Sequence, residues 1–125
     1  MQSMVLILVS CFLTAIGQVA FKYGMNIVSP KMETAENLLF TLYIVLFNPV
    51  IILGFVSFGA GAVVWLFALA KLELSYAVPL SALTYVLVLA AGVFLFKEPF
   101  TLIKVFGTIL VAVGIGILSL GEFSR

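Results

Sequence analysis

The chain has 125 residues, 65% of them hydrophobic and 9% charged, against about 25% charged residues in a soluble domain. Six Lys/Arg face five acids, all Glu, with no Asp and no His, and the net charge is +1. This balance excludes a soluble globular fold and a basic field that would gather nucleic acid, and it removes the commonest metal ligand and general base. The single Cys builds neither a disulfide framework nor a Cys-rich metal site, so no metal and no cofactor are expected.

Lys22, Lys31, Glu33, Glu36, Lys71, Glu73, Lys97, Glu98, Lys104, Glu122 and Arg125 mark the loops, and the gaps between them are the spans. Residues 3–21 carry no charge, enough helix at about 1.5 Å per residue to cross a hydrocarbon core of about 30 Å. Leu8-Val9-Ser10-Cys11 has the outline of a lipoprotein cleavage box, but no basic residue precedes it, and it reads better as part of an anchor helix with a buried Cys. Ser29-Pro30 predicts a turn in the longest connection. The uncharged run 37–70 is 34 residues, too long for one crossing, and Asn48-Pro49 breaks it: Pro disfavours helix in the residue before it and suits the first turn of a new one. The second span is then 49–70. The segment 34–47 is too short to span and predicts an interfacial helix.

The third span covers 74–96 and the fourth 100–121, joined to their neighbours by the tight connections Lys71-Leu72-Glu73 and Lys97-Glu98-Pro99. The expected fold is one all-α transmembrane domain over residues 1–125, four helices running up-down-up-down with the short interfacial helix between the first two spans. Loop charge specifies orientation weakly: Lys22, Lys31, Lys97 and Lys104 lie on one face, Lys71, Arg125 and the terminal amine on the other.

Polar residues inside the spans are the candidates for function. Ser10, Thr14, Gln18 and Lys22 recur every four residues and form one line down the first helix. Such a line either faces a cavity, where Lys22 pairs with an anion such as a lipid phosphate, or glues helices together with Lys22 as a snorkelling anchor. The third span carries Ser75, Tyr76, Pro79, Ser81, Thr84 and Tyr85. Pro79 removes a backbone hydrogen bond and frees carbonyls toward a polar cavity, or simply shapes a kink, while Trp65 and Tyr76 also suit an interfacial belt. Glu73 and Glu98 sit where the third and fourth helices are expected to begin, Glu98 with Pro99 as a structural loop beside a helix N-terminus. Gly54, Ser57, Gly59 and Gly61 of the second span, and Gly107, Thr108, Ala112, Gly114 and Gly116 of the fourth, permit close packing within the chain or at a dimer seam.

Three blocks carry a family resemblance that covers nearly the whole chain. Gly17-Gln18-Val19-Ala20-Phe21-Lys22 is similar to a Gly-Gln-x-x-x-Lys first-helix end. Ala77-Val78-Pro79-Leu80-Ser81-Ala82-Leu83-Thr84-Tyr85-Val86 is similar to Ala-Tyr-Pro-Met-Leu-Ser-Leu-Asn-Phe-Val, and Glu98-Pro99-Phe100-Thr101 before Gly107 to Glu-Pro-Val-Ser before a Gly-rich helix. In these blocks the chain resembles the four-helix, single-repeat members of the drug/metabolite transporter superfamily. Within it the chain is most similar to the small paired subunits that flip undecaprenyl-phosphate-linked aminoarabinose, and more loosely to the small multidrug resistance family. The essential membrane Glu of the drug exporters falls on Thr14 here, which speaks against proton-coupled drug efflux.

The resemblance implies a non-enzymatic flippase of a polyprenyl-phosphate-linked sugar in a bacterial inner membrane or archaeal cell membrane. It would work as a homodimer or as a heterodimer with a related four-helix chain, with Gly107 and Gly114 in the dimer seam. On this expectation Ser10, Thr14, Gln18, Lys22, Tyr76, Pro79, Ser81, Thr84 and Tyr85 meet the substrate. Export of a small metabolite or cation, and a non-transporting membrane subunit of a glycolipid pathway, are the rival readings.

Overall fold

A computed structural model describes residues 2–124; Arg125 and the terminal amine, which entered the loop-charge count, lie outside them. Six helices follow in order: α1 (Gln2–Met32), α2 (Leu38–Leu46), α3 (Pro49–Leu69), α4 (Leu74–Leu80), α5 (Leu83–Phe94) and α6 (Leu102–Phe123). Among the described residues four segments are long and apolar enough to cross a membrane: Gln2–Met32, Pro49–Leu69, Leu74–Phe94 and Leu102–Gly121.

Local chemistry explains most boundaries. Asn37 caps α2 by accepting from the Phe40 N–H at 2.8 Å, and Asn48 caps α3 by accepting from Val50 and Ile51 at 3.0 and 3.3 Å. Pro49 is the first residue of α3, where a missing N–H leaves no intrahelical bond unmade. Two expectations need correction. The first helix does not turn at Ser29-Pro30; it continues to Met32 with Pro30 inside its last turn, where the proline ring removes one hydrogen bond without a following turn to disrupt. A helix from Gln2 uses up the apolar thickness by about Phe21, so the turns from Lys22 to Lys31 reach the headgroup layer and beyond.

The third span is broken rather than kinked. Pro79 has no N–H to donate, and the chain after it tightens into i to i+3 bonds: Ala82 to Pro79 at 3.0 Å, Thr84 to Ser81 at 3.0 Å and Tyr85 to Ala82 at 2.9 Å. Ser81 and Ala82 keep right-handed helical angles, so α4 and α5 remain parts of one crossing.

The tightest contact in the fold is between α1 and α3. It runs antiparallel: Ser10 lies against Gly61, Leu13 against Ser57, Gly17 against Gly54 and Gly24 against Ile51. A Cβ on Gly17 would stand 3.0 Å from the Gly54 carbonyl oxygen, and one on Gly61 would stand 2.8 Å from Thr14 Oγ1 and 3.2 Å from the Ser10 carbonyl oxygen. That approach lets the Ser10 hydroxyl donate to the Gly61 carbonyl and the Ser57 hydroxyl to the Leu13 carbonyl, both at 2.8 Å. In lipid no hydrophobic drive pushes helices together, so such dispersion contacts and interhelical hydrogen bonds are what hold them. Phe21 closes the seam with its ring edge-on to Phe55, centroids 4.8 Å apart.

A small apolar core of Ile7, Cys11, Ala68, Tyr76, Ala77 and Leu80 joins the start of α1 to the end of α3 and to α4, and Ile115 and Leu118 of α6 pack onto it. Otherwise α6 is thinly covered: Ile103 is 86% exposed and Ile117 65% exposed, and Gly107 and Gly114 face open space.

Candidate functional site

Where α1, α3 and the break in the third span meet, an open cavity of about 320 Å³ lies between them. Ser10, Cys11, Thr14 and Gln18 line it from α1, Phe58, Ala62 and Trp65 from α3, and Ser81, Thr84 and Tyr85 from the break and the start of α5. The four-residue spacing places the α1 groups on one face, and the interruption after Pro79 brings Ser81, Thr84 and Tyr85 opposite them. The Ser81 hydroxyl donates to the Val78 carbonyl, and the Ser81 carbonyl accepts a weak bond from Cys11 Sγ at 3.9 Å. The break is thereby tied to α1 at the cavity wall.

Ser10 is only 4% exposed, and its hydroxyl proton is committed to Gly61. It closes the α1–α3 seam and shows the cavity an oxygen that can only accept. Thr14, Gln18, Thr84 and Tyr85 supply the remaining hydroxyl and amide groups, and the Trp65 indole supplies a flat apolar wall with one N–H.

A second cavity, about 160 Å³, lies further along α1. Gln18, Val19 and Lys22 line it from α1, Val88, Ala91 and Gly92 from α5, and Phe96 and Glu98 from the turn into α6. Gln18 belongs to both cavities, so the two adjoin at its amide. The structure moves Glu98 away from its expected place: α6 starts only at Leu102, so Glu98 and Pro99 stand outside its first turn. Lys97 takes a left-handed backbone angle, φ 53°, which folds the chain back so that the Glu98 N–H donates to the Gly92 carbonyl at 3.1 Å. Its carboxylate then lies directly over Gly92, Oε2 being 2.8 Å from where a Cβ would stand.

Beside the second cavity, from Ile16 to Ile27 of α1, an apolar groove of about 700 Å³ opens between α1 and the end of α5. Val19 and Phe96 line both the groove and the charged cavity, and Ile16, Ala20, Ile27, Val50 and Leu95 continue the groove, with Tyr23 and Asn26 as its polar members. The hydroxyl-lined and charged cavities therefore follow one another along α1, and the apolar groove flanks the charged one and runs on past it.

Of the candidate residues, Ser10, Thr14, Gln18, Ser81, Thr84 and Tyr85 share the first cavity, and Gln18 and Lys22 the second. Two are elsewhere. Tyr76 is 7% exposed within the apolar core, and the exposed Pro79 acts on the site only through the break that follows it. Sequence reasoning missed the α3 wall of Phe58, Ala62 and Trp65, although their three- and four-residue spacing puts them on one helix face.

These features define an integral membrane protein whose spans hold polar groups around open cavities between helices. The sequence profile of the EamA-like transporter family matches residues 1–120, and the chain belongs to that family. A relative in Pseudomonas fluorescens (strain Pf0-1), named a probable 4-amino-4-deoxy-L-arabinose-phosphoundecaprenol flippase subunit ArnE, is 32% identical over 93% of this chain and 96% of its own length. One in Serratia proteamaculans (strain 568), named a probable subunit ArnF of the same flippase, is 32% identical over 88% of this chain and 86% of its own. No solved structure matches significantly. Family and relatives place the chain among non-enzymatic membrane transporters.

Proposed function

We propose that the protein translocates a polyprenyl-phosphate-linked sugar across a bacterial inner membrane, as a dimer working by alternating access. The observation that carries this reading is the order of the two polar cavities along α1, with the apolar groove beside the second. A lipid-linked sugar has a hydroxylic head, then a phosphate, then an isoprenoid tail; the hydroxyl-lined cavity and the Lys22 cavity follow in that sequence, and the apolar groove opens beside the second. Thr14 and Lys22 are two helical turns apart, about 12 Å, the scale of a sugar with its phosphate. Thr14, Gln18, Thr84 and Tyr85 replace the water that hydrates the sugar, Lys22 holds the phosphate and the tail stays in the groove or in lipid, so only the head needs shelter. No bond is made or broken. The names of the relatives, flippase subunits with a lipid-linked sugar as cargo, support the same reading.

The partner, a second copy or a related four-helix chain, covers α6. Ile103, Gly107, Leu110, Gly114 and Ile117 alternate at four and three residues along one outward stripe, and Gly107 and Gly114 leave room for a helix to approach. Gly114→Leu is expected to abolish dimer formation while leaving the monomer's thermal unfolding unchanged, because among the described residues no atom beyond the local backbone of α6 lies within 4 Å of a Cβ there. Cross-linking in proteoliposomes and circular dichroism read the two effects separately; an undiminished dimer moves the seam to another face.

The reading is tested by flux of a labelled polyprenyl-phosphate sugar into proteoliposomes, with an ethidium-type cation run in parallel. Glycolipid flux without cation flux is expected. Cation flux alone overturns the proposal, and the absence of both with the chain alone calls for co-reconstitution with a related four-helix partner.

A further inference from the structure

The polar line of α1 does not stop at Lys22. Asn26 stands four residues on, on the same helix face and about 6 Å further along the axis, and Tyr23 is its neighbour three residues back. Lys22 lines the charged cavity, whereas Tyr23 and Asn26 are the polar members of the adjoining groove, and Val19 and Phe96 form the wall that both spaces share. All three polar side chains are exposed, and among the described residues none of the Lys22 ammonium, the Tyr23 hydroxyl and the Asn26 amide has a hydrogen-bond partner. Lys104, whose ammonium donates to the Pro99 carbonyl at 3.3 Å, brings a second cation beside Glu98, so the charge around this mouth is positive. Depth points the same way. α1 has crossed the apolar thickness by about Phe21, which puts the turn from Lys22 to Asn26 at the level of lipid phosphates.

We propose that Asn26 and Tyr23 complete the phosphate seat from the groove side, and that a lipid entering sideways from the leaflet is held there by its phosphodiester before its head moves on toward Gln18. A lipid-linked head joins its tail at the phosphate, so a lipid with its tail in the groove carries that group to the shared wall, between the Lys22 ammonium and the two groove donors. Lys22 supplies the opposite charge, and the Asn26 amide and Tyr23 hydroxyl donate to the non-bridging oxygens. This assignment rests on the flippase reading above and adds two binding residues to it. A diacyl phospholipid carries the same phosphodiester, and the experiment separates the two sources.

The test is calorimetric titration of the full chain in maltoside micelles, which bring no phosphate of their own. The probes are a farnesyl phosphodiester of glucose, its uncharged methyl phosphotriester and dihexanoyl phosphatidylglycerol. Wild type is expected to bind the farnesyl diester about tenfold tighter than either of the others. Asn26→Leu should weaken the diester about tenfold and Tyr23→Phe about threefold, with the triester unchanged, because hydrogen bonds to a charged acceptor are the stronger ones. Both side chains are exposed, so the variants should unfold at the wild-type temperature. Equal losses for diester and triester, or an undiminished diester affinity in both variants, overturn the assignment of Asn26 and Tyr23 while the flippase reading stands. Phosphatidylglycerol bound as tightly as the farnesyl diester overturns the seat as a cargo site and makes it one for bulk phospholipid. If folded wild type does not bind the farnesyl diester, the flippase reading itself fails and this assignment with it.

Discussion

Gly61→Leu is expected to destabilise the protein by about 2–4 kcal/mol, whereas Gly59→Leu, two residues away on the same helix, stays within about 0.5 kcal/mol of wild type. The difference lies in what each new side chain meets. At Gly61 the first added carbon falls 2.8 Å from Thr14 Oγ1 and 3.2 Å from the Ser10 carbonyl oxygen and the Thr14 nitrogen; at Gly59 nothing lies within 4 Å. The backbone atoms of α1 cannot yield by rotating a side chain, so the two helices must separate. Separation breaks the bonds from Ser10 to Gly61 and from Ser57 to Leu13, each worth about 0.6–1.7 kcal/mol in a membrane interior, and loses the dispersion contacts between them. Unfolding in detergent micelles followed by circular dichroism measures both variants. Equal losses at the two positions would mean that α3 turns a different face to α1.

Lys22→Glu is expected to abolish glycolipid flux, and Lys22→Gln to lower it by about tenfold or more, with the fold intact in both. Lys22 is exposed at the side of α1, so no packing is lost with it. Its charge, however, is the cation that shares the second cavity with Glu98. Without it a phosphate enters a site whose remaining charge is a carboxylate, and the reversal places two. Lys22→Arg keeps the charge and most of the flux. Proteoliposome flux with matched reconstitution separates these cases. Unchanged flux in Lys22→Glu would remove Lys22 from the mechanism.

The polar line of Ser10, Thr14, Gln18 and Lys22 was legible because a four-residue period in a helix is a statement about one face, whatever the neighbours are. That Ser10 serves the seam, while Gln18 joins two cavities, was not legible, since the period says nothing of which helix the face meets. Pro79 announced a disturbed third span through its missing N–H, but the break falls after it, at Ser81 and Ala82, where the following turn tightens. Glu98 beside Pro99 reads locally as a helix start. Only the left-handed angle at Lys97 carries it back onto α5, and nothing about a Lys in sequence signals that angle.

The amino-acid sequence by itself determined the solvent and the segments: four apolar stretches bounded by charge, and an all-helical chain that lipid requires because every backbone polar group must be paired within its own span. It also carried the family resemblance, through short blocks at Gly17–Lys22 within α1, around Pro79 and at Glu98-Pro99. Tertiary structure alone divided the glycines, sending Gly17, Gly54 and Gly61 into the α1–α3 seam and leaving Gly59, Gly107 and Gly114 open. It alone set Glu98 in one cavity with Lys22 and brought Trp65 into the wall of the cavity that Thr14 lines. The physical reason is that helices apolar on every side carry no amphipathic stripe to say which face turns inward, so close packing and a few hydrogen bonds between helices make that choice.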